Sequence, residues 1–94
     1  MKMNRIKIGL LFYDKDAVAR FVIDNVPDAI VKRDLKNELI YETPILSLEW
    51  IKPGENFKGQ RLDFVFTERD IRDTCWFDAV IRPMLISGIG VVDE

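Results

Sequence analysis

The chain has 94 residues, enough for one domain with a single modest hydrophobic core. Hydrophobic residues make up 48% of it and charged residues 32%, which excludes a disordered tail and a fibrous repeat. Because 14 basic and 16 acidic side chains leave a formal charge of −2, no general positive field exists to attract nucleic acid or an anionic membrane.

Several classes of chemistry lack the residues they need. The chain contains no histidine, the commonest general base and metal ligand, so we expect no catalytic residues, no metal and no cofactor. Its single cysteine, Cys75, excludes an intramolecular disulfide and favours a reducing compartment, which predicts a cytoplasmic location. No apolar run approaches the ~20 residues that cross a bilayer, so no membrane partner is expected.

The first third of the chain predicts a strand followed by a helix. Apolar residues at about 5–13 indicate a strand that enters the core. Three-and-four spacing of apolar residues then predicts a helix at about 15–25, capped by Asp14 or Asp16. Pro27 ends this helix, because the residue before a proline is biased out of helical geometry.

The middle third predicts short strands. Residues 29–31 indicate a short strand, and the charged run 32–38 is predicted to be an exposed turn. Residues 39–41 and 45–51 flank a Glu-Thr-Pro break, and the second run alternates apolar and polar residues. These two runs therefore predict a pair of strands.

The last third predicts a strand, a helix and a final strand. Residues 62–66 are predicted to form a mainly apolar, central strand, and Thr67 is the expected N-cap of the helix that follows. One apolar face is predicted for this helix, which should end near Pro83. A strand at 86–92 completes an α/β (α+β) fold: a single domain over residues 1–94 with a mixed sheet of about four to six strands and two helices.

One segment resembles a known enzyme core. In Asn56-Phe57-Lys58-Gly59-Gln60-Arg61, a glycine-bearing loop precedes an apolar strand that ends in Thr67-Glu68. This order resembles the P-loop ATPase core of phage terminase large subunits and related helicases, over about residues 40–85. In that family an Asp-Glu pair ends the strand, the aspartate holding magnesium and the glutamate preparing water for attack. The resemblance implies that the chain is phage-encoded.

The parts that would make this resemblance functional are absent from the sequence. Thr67 stands where the family has its metal-binding aspartate, and Glu68 is interpreted as a first-turn acid favoured by the helix dipole. No Gly-x-x-x-x-Gly-Lys-Ser/Thr motif occurs, so we expect neither tight binding nor hydrolysis of magnesium-ATP.

The same loop holds the best candidate for a ligand site. Cations and an aromatic residue concentrate there, where they could hold a phosphate or stack on a base. The candidate ligand-binding residues are Lys52, Asn56, Phe57, Lys58 and Arg61. The alternative is a solvated surface loop that Phe57 pins to the core.

Two functional hypotheses follow. The preferred one is a small non-enzymatic interaction protein that binds a partner protein or forms a homo-oligomer, through exposed aromatics of which Trp50 and Trp76 are the candidates. The alternative is a binding module for nucleic acid or a nucleotide, using the loop at 52–61.

Cys75 is predicted to be a small buried core residue rather than a reactive thiol.

Overall fold

In a computed structural model of the chain, which describes residues 5–55 and 61–92, six strands form one mixed sheet. The strands are β1 (Ile6–Leu11), β2 (Ile30–Leu35), β3 (Glu38–Glu42), β4 (Leu46–Ile51), β5 (Leu62–Glu68) and β6 (Leu85–Val92). The helices are α1 (Lys15–Asn25), α2 (Arg69–Arg72), a π-helix at Phe77–Ile81 and a 3-10 turn at Arg82–Met84. The predicted α/β class, a mixed sheet in one small domain, is confirmed.

The sheet has the strand order β2-β3-β4-β1-β5-β6. Strand β1 pairs in parallel with β4 and with β5, and β5 pairs in parallel with β6. Strand β3 is antiparallel to both of its neighbours. The continuous apolar run in β1 fits its position between two strands, where its backbone is fully paired and its side chains meet cores on both faces.

Helix α1 forms where the apolar spacing predicts it. Of the two candidate caps, Asp14 is the N-cap, and its carboxylate accepts a hydrogen bond from the backbone amide of Asp16 at 3.1 Å. Val18 and Val22 point into the core, and the helix ends at Asn25, two residues before Pro27. The predicted bounds of 15–25 are therefore confirmed.

Two hydrophobic cores lie on opposite faces of the sheet. On the face covered by α1, the core consists of Leu10, Phe12, Ala17, Val18, Val22, Leu39, Tyr41, Leu48 and Trp50. On the face covered by α2 and the π-helix, it consists of Leu11, Ile51, Leu62, Val65, Ile71, Phe77 and Ile81. We call these the α1 face and the α2 face. Because α1 lies over β1, β4 and β3, the α1 face is covered mainly on that side of the sheet.

The prediction of an exposed turn at 32–38 is wrong for most of its length. Strand β2 continues to Leu35, and only residues 36–37 form the turn before β3. All six residues of β2 are exposed, so its charges remain solvated while its backbone pairs with β3. Lys32 also pairs with Glu42 across the strands at 3.1 Å. A charged run is thus compatible with an edge strand.

The prediction that Thr67 caps a helix is also wrong. Thr67 is the fully buried penultimate residue of β5, and its hydroxyl donates to the carbonyl of Glu68 at 3.0 Å. Glu68 occupies the N-cap position of α2 without a side-chain cap. The strand persists through Thr67 because pairing with β1 and β6 continues there.

A single helix ending near Pro83 does not form. Helix α2 stops at Arg72, and the hydroxyl of Thr74 donates to the carbonyl of Ile71 at 2.7 Å and accepts from the amide of Phe77 at 3.3 Å. This local bonding competes with continuous helix. Of the predicted apolar face, Ile71 is buried and Trp76 and Val80 are partly buried against the core, whereas Cys75 and Ala79 are exposed. The other buried positions are Phe77 and Ile81.

Candidate interaction surface

A row of phenylalanine rings crosses the α1 face from α1 toward β6. The centroids of Phe12 and Phe21 lie 5.4 Å apart, those of Phe21 and Phe66 5.1 Å, and those of Phe66 and Phe64 4.9 Å. All three pairs are tilted, a favourable arrangement for aromatic rings. Phe12 is buried, whereas the other three rings are partly exposed.

Two glycines of β6 make room for this row. The register places Gly88 beside Phe64 and Gly90 beside Phe66. A Cβ atom on Gly88 would lie 2.8 Å from Cε2 of Phe64, and one on Gly90 would lie 2.8 Å from Cδ1 of Phe66. The rings therefore lean over the β6 backbone. We call Phe21, Phe64, Phe66, Gly88 and Gly90 the aromatic surface.

An open groove of about 770 Å³ runs between α1 and this part of the sheet. Its lining is mainly apolar: Ile8, Phe12, Ala17, Phe21, Val26, Leu46, Leu48, Phe66, Gly90, Val91 and Val92, with Arg20, Asp24 and Asn25 as the polar members. In the described part of the chain, α1 reaches β5 on this face through Phe21, whose ring contacts Phe66, while the residues that α1 buries belong to the core over β1, β3 and β4.

Opposite charges line the α1 wall of the groove. Arg20 and Asp24 lie one helical turn apart and both are exposed. Neither forms an ion pair with another described residue. Ile23, on the outward side of the same helix, is 64% exposed. Helix α1 thus presents an apolar side chain and two unneutralised charges outward.

The uncovered part of the α2 face is different in character. Around β1, β3 and β4 it carries Lys7, Ile40, Ser47 and Glu49, which line a shallow cavity of about 240 Å³. Burial raises the pKa of Glu49, the nearby Glu38 raises it further, and Lys7 lowers it. Polar and charged side chains dominate here, so this part of the sheet can remain in contact with solvent without a covering layer.

The two edge strands also differ. Strand β6 contains no charged residue over Leu85–Val92, whereas β2 contains Lys32, Arg33 and Asp34. Both strands include a register shift, at Val31/Arg33 in β2 and opposite Leu62/Phe64 in β6. Charges are a common protection of an edge against pairing with another chain. Only β2 has them.

No family model, curated protein or solved structure matches the chain. The resemblance of residues 40–85 to an ATPase core therefore stays a prediction. Within the described residues, no group of three or more Asp, Glu or Cys side chains is placed to hold a metal ion. No helix there is long and apolar enough to cross a membrane.

The predicted basic loop is only partly within the described residues. Lys52 is exposed and its ammonium lies 3.6 Å from the carboxylate of Glu55, and Arg61 is exposed at the start of the next described segment. Asn56, Phe57 and Lys58 lie outside the described residues. A phosphate site at this loop stays a prediction.

Trp50 is not an exposed aromatic, which corrects the prediction. Its side chain is 7% exposed in the core beneath α1, and its indole donates to the carbonyl of Phe12 at 2.8 Å. The alternation of β4 places Trp50 on the same face as Leu48, inside the α1 core. Trp76 is partly exposed, and its indole donates to the carbonyl of Glu55 at 2.9 Å.

The prediction that Cys75 is buried is wrong. Cys75 is an exposed free thiol. It follows the break after α2, so it does not continue the face that buries Ile71.

The aromatic surface was not among the predicted sites, although a signal for it exists. Phe64 and Phe66 are two residues apart, as are Gly88 and Gly90. Two strands with aromatics on one and glycines at the same spacing on the other predict rings that lean over a neighbouring backbone. The signal requires knowing that β5 and β6 are neighbours, which the sequence pattern does not specify.

Proposed function

We propose that this chain is a small non-enzymatic interaction protein that associates with a second copy of itself through the aromatic surface. The main support is the contrast between the two uncovered parts of the sheet. The part around Glu49 and Lys7 is polar, whereas the part over β5 and β6 is aromatic. Parallel strands are normally covered on both faces, and of the two uncovered parts only the aromatic one exposes mainly apolar side chains.

Covering this surface would be favourable. Removing apolar surface from water gains roughly 25 cal/mol per Å². Phe64 belongs to neither hydrophobic core, and its ring is partly exposed, so it is placed to contribute to an interface. The formal charge of −2 is small, so two copies repel each other only weakly.

Sedimentation velocity over a range of protein concentrations tests this proposal. We expect the wild-type chain to show a reversible dimer and Phe64→Ser to shift the monomer–dimer midpoint to higher concentration by about tenfold or more, as for loss of an aromatic anchor. The matched control is Ile30→Ser, which removes a side chain that is 69% exposed on the opposite edge of the sheet. It should leave the midpoint unchanged.

A wild-type chain that stays monomeric at the highest concentration contradicts the proposal. So does a dimer that Phe64→Ser leaves intact. Circular dichroism of each variant establishes that a lost dimer does not reflect a lost fold.

A further inference from the structure

The groove beside α1 is a candidate binding site for a helix. Helix α1 covers one side of the α1 face, and the groove of about 770 Å³ beside it has Ile8, Leu48, Phe66 and Val92 on its sheet side, so it reaches from β4 and β1 to β5 and β6. A helix with its side chains is about 10–12 Å across, and two neighbouring strands lie about 4.8 Å apart. Two neighbouring strands such as β5 and β6 therefore offer a strip about wide enough to contact one helix.

We propose that the occupant of this groove is α1 of a second copy, so that each copy's α1 covers β5 and β6 of the other. This inference rests on the proposed self-association and names the element that forms the contact. A two-fold axis makes this arrangement possible. Each contact between residue i of one copy and residue j of the other then occurs twice, with the roles of the two copies reversed.

The charges on the groove wall support this occupant. Arg20 and Asp24 both line the groove, are exposed, and form no ion pair with another described residue. When two α1 helices lie side by side about a two-fold axis, Arg20 of each copy is placed to meet Asp24 of the other. The charge pattern on α1 of the second copy thus complements the groove wall formed by Arg20 and Asp24.

The outward side of α1 supplies an apolar contact. Ile23 is 64% exposed, while Val18 and Val22 on the inward side are buried. In the exchanged arrangement the outward side of α1 faces the partner's sheet, which brings Ile23 toward the aromatic surface. One helix would then be covered on both sides, and one sheet face would be covered along its full width.

Charge reversal with mixing tests the pairing. Arg20→Asp gives a helix wall with two acids, and Asp24→Arg gives one with two bases, so each variant alone should dimerise about tenfold or more weakly than wild type because like charges meet. An equimolar mixture of the two should form a heterodimer at least as tight as the wild-type dimer, measured by sedimentation velocity with one partner fluorescently labelled. The double variant, which restores opposite charges, should also dimerise.

The matched control uses Asp78 and Arg82, which have the same spacing but already pair with each other in one chain at 3.1 Å. Mixing Asp78→Arg with Arg82→Asp should give no heterodimer beyond the wild-type level. A dimer that depends on Phe64 but shows no rescue on mixing Arg20→Asp with Asp24→Arg overturns the helix exchange and leaves the proposed function standing.

Two other results overturn both proposals. One is a chain that is monomeric at every concentration. The other is a dimer that is indifferent to Phe64→Ser but is lost in Ile86→Lys, which adds a charge to the edge strand β6 at an exposed position outside the groove lining. The second result would show that the copies associate by pairing their β6 edges.

Discussion

The Phe66 ring lies against the backbone of Gly90, with its Cδ1 atom 2.8 Å from where a Cβ at Gly90 would be. That contact allows β5 and β6 to carry an aromatic row on one face. It also makes Gly90 a position at which a side chain would disturb the row.

We therefore expect Gly90→Ala to force the Phe66 ring to turn and to weaken its contact with Phe21, whose centroid is 5.1 Å away. The free energy of unfolding should fall by about 1–3 kcal/mol, as for overpacking. Urea unfolding followed by circular dichroism measures it. Ser87→Ala, an exposed position on the same strand, should change it by less than about 0.5 kcal/mol. Equal stabilities of the two variants would contradict the close contact.

The two tryptophans should respond differently to loss of the indole. Trp50→Phe removes a buried hydrogen bond and leaves the carbonyl of Phe12 without that donor. We expect a loss of about 1–3 kcal/mol in the free energy of unfolding. Trp76→Phe removes an exposed hydrogen bond to Glu55 and should cost less than about 1 kcal/mol. Urea unfolding by circular dichroism compares them, and a larger loss for Trp76→Phe would contradict the assigned burial.

Glu49 should make stability depend on pH. Burial is the first cause of its raised pKa, and Glu38 adds to it. Because the folded state holds this proton more tightly than the unfolded state, the contribution of Glu49 to stability falls as pH rises from its usual pKa of 4.5 through the folded-state pKa.

Glu49→Gln should therefore match wild type in stability well below pH 4.5 and become relatively more stable as pH rises. The difference between the two unfolding curves at each pH is the measurement, since other carboxylates contribute to both proteins. Glu38→Gln removes one cause of the raised pKa of Glu49. The pH range over which Glu49 lowers stability should therefore become narrower in this variant. A stability difference between Glu49→Gln and wild type that stays constant with pH would contradict a raised pKa of Glu49.

The exposed thiol of Cys75 should react in the folded protein. We expect a thiol reagent to modify it without denaturant at a rate close to that of the unfolded chain, because no opening step is needed. Cys75→Ser should change the free energy of unfolding by less than about 0.5 kcal/mol, as for an exposed position. A thiol that reacts only after urea is added would restore the prediction of a buried residue.

Periodicity in the sequence was sufficient for much of the fold. The spacing of Val18 and Val22, with Asp14 before them and Pro27 after, predicted α1 to the residue, and alternation around Leu48 predicted β4. These signals are local, so they need no knowledge of neighbouring elements.

Predictions failed where a distant contact decides the outcome. Thr67 has a good capping side chain, but pairing with two strands keeps it in β5. Trp50 was predicted to be exposed although its own alternation places it with Leu48, because which face meets α1 depends on the sheet. The aromatic surface was missed for the same reason, since only the strand order brings Gly90 beside Phe66.

Self-association through the aromatic surface is tested by the concentration dependence of molar mass, measured by light scattering on wild type and Phe64→Ser side by side. We expect the wild-type mass to rise from that of one chain toward that of two, and the Phe64→Ser mass to stay near that of one chain over the same range. Identical masses for the two proteins at every concentration, whether of one chain or of two, would contradict it.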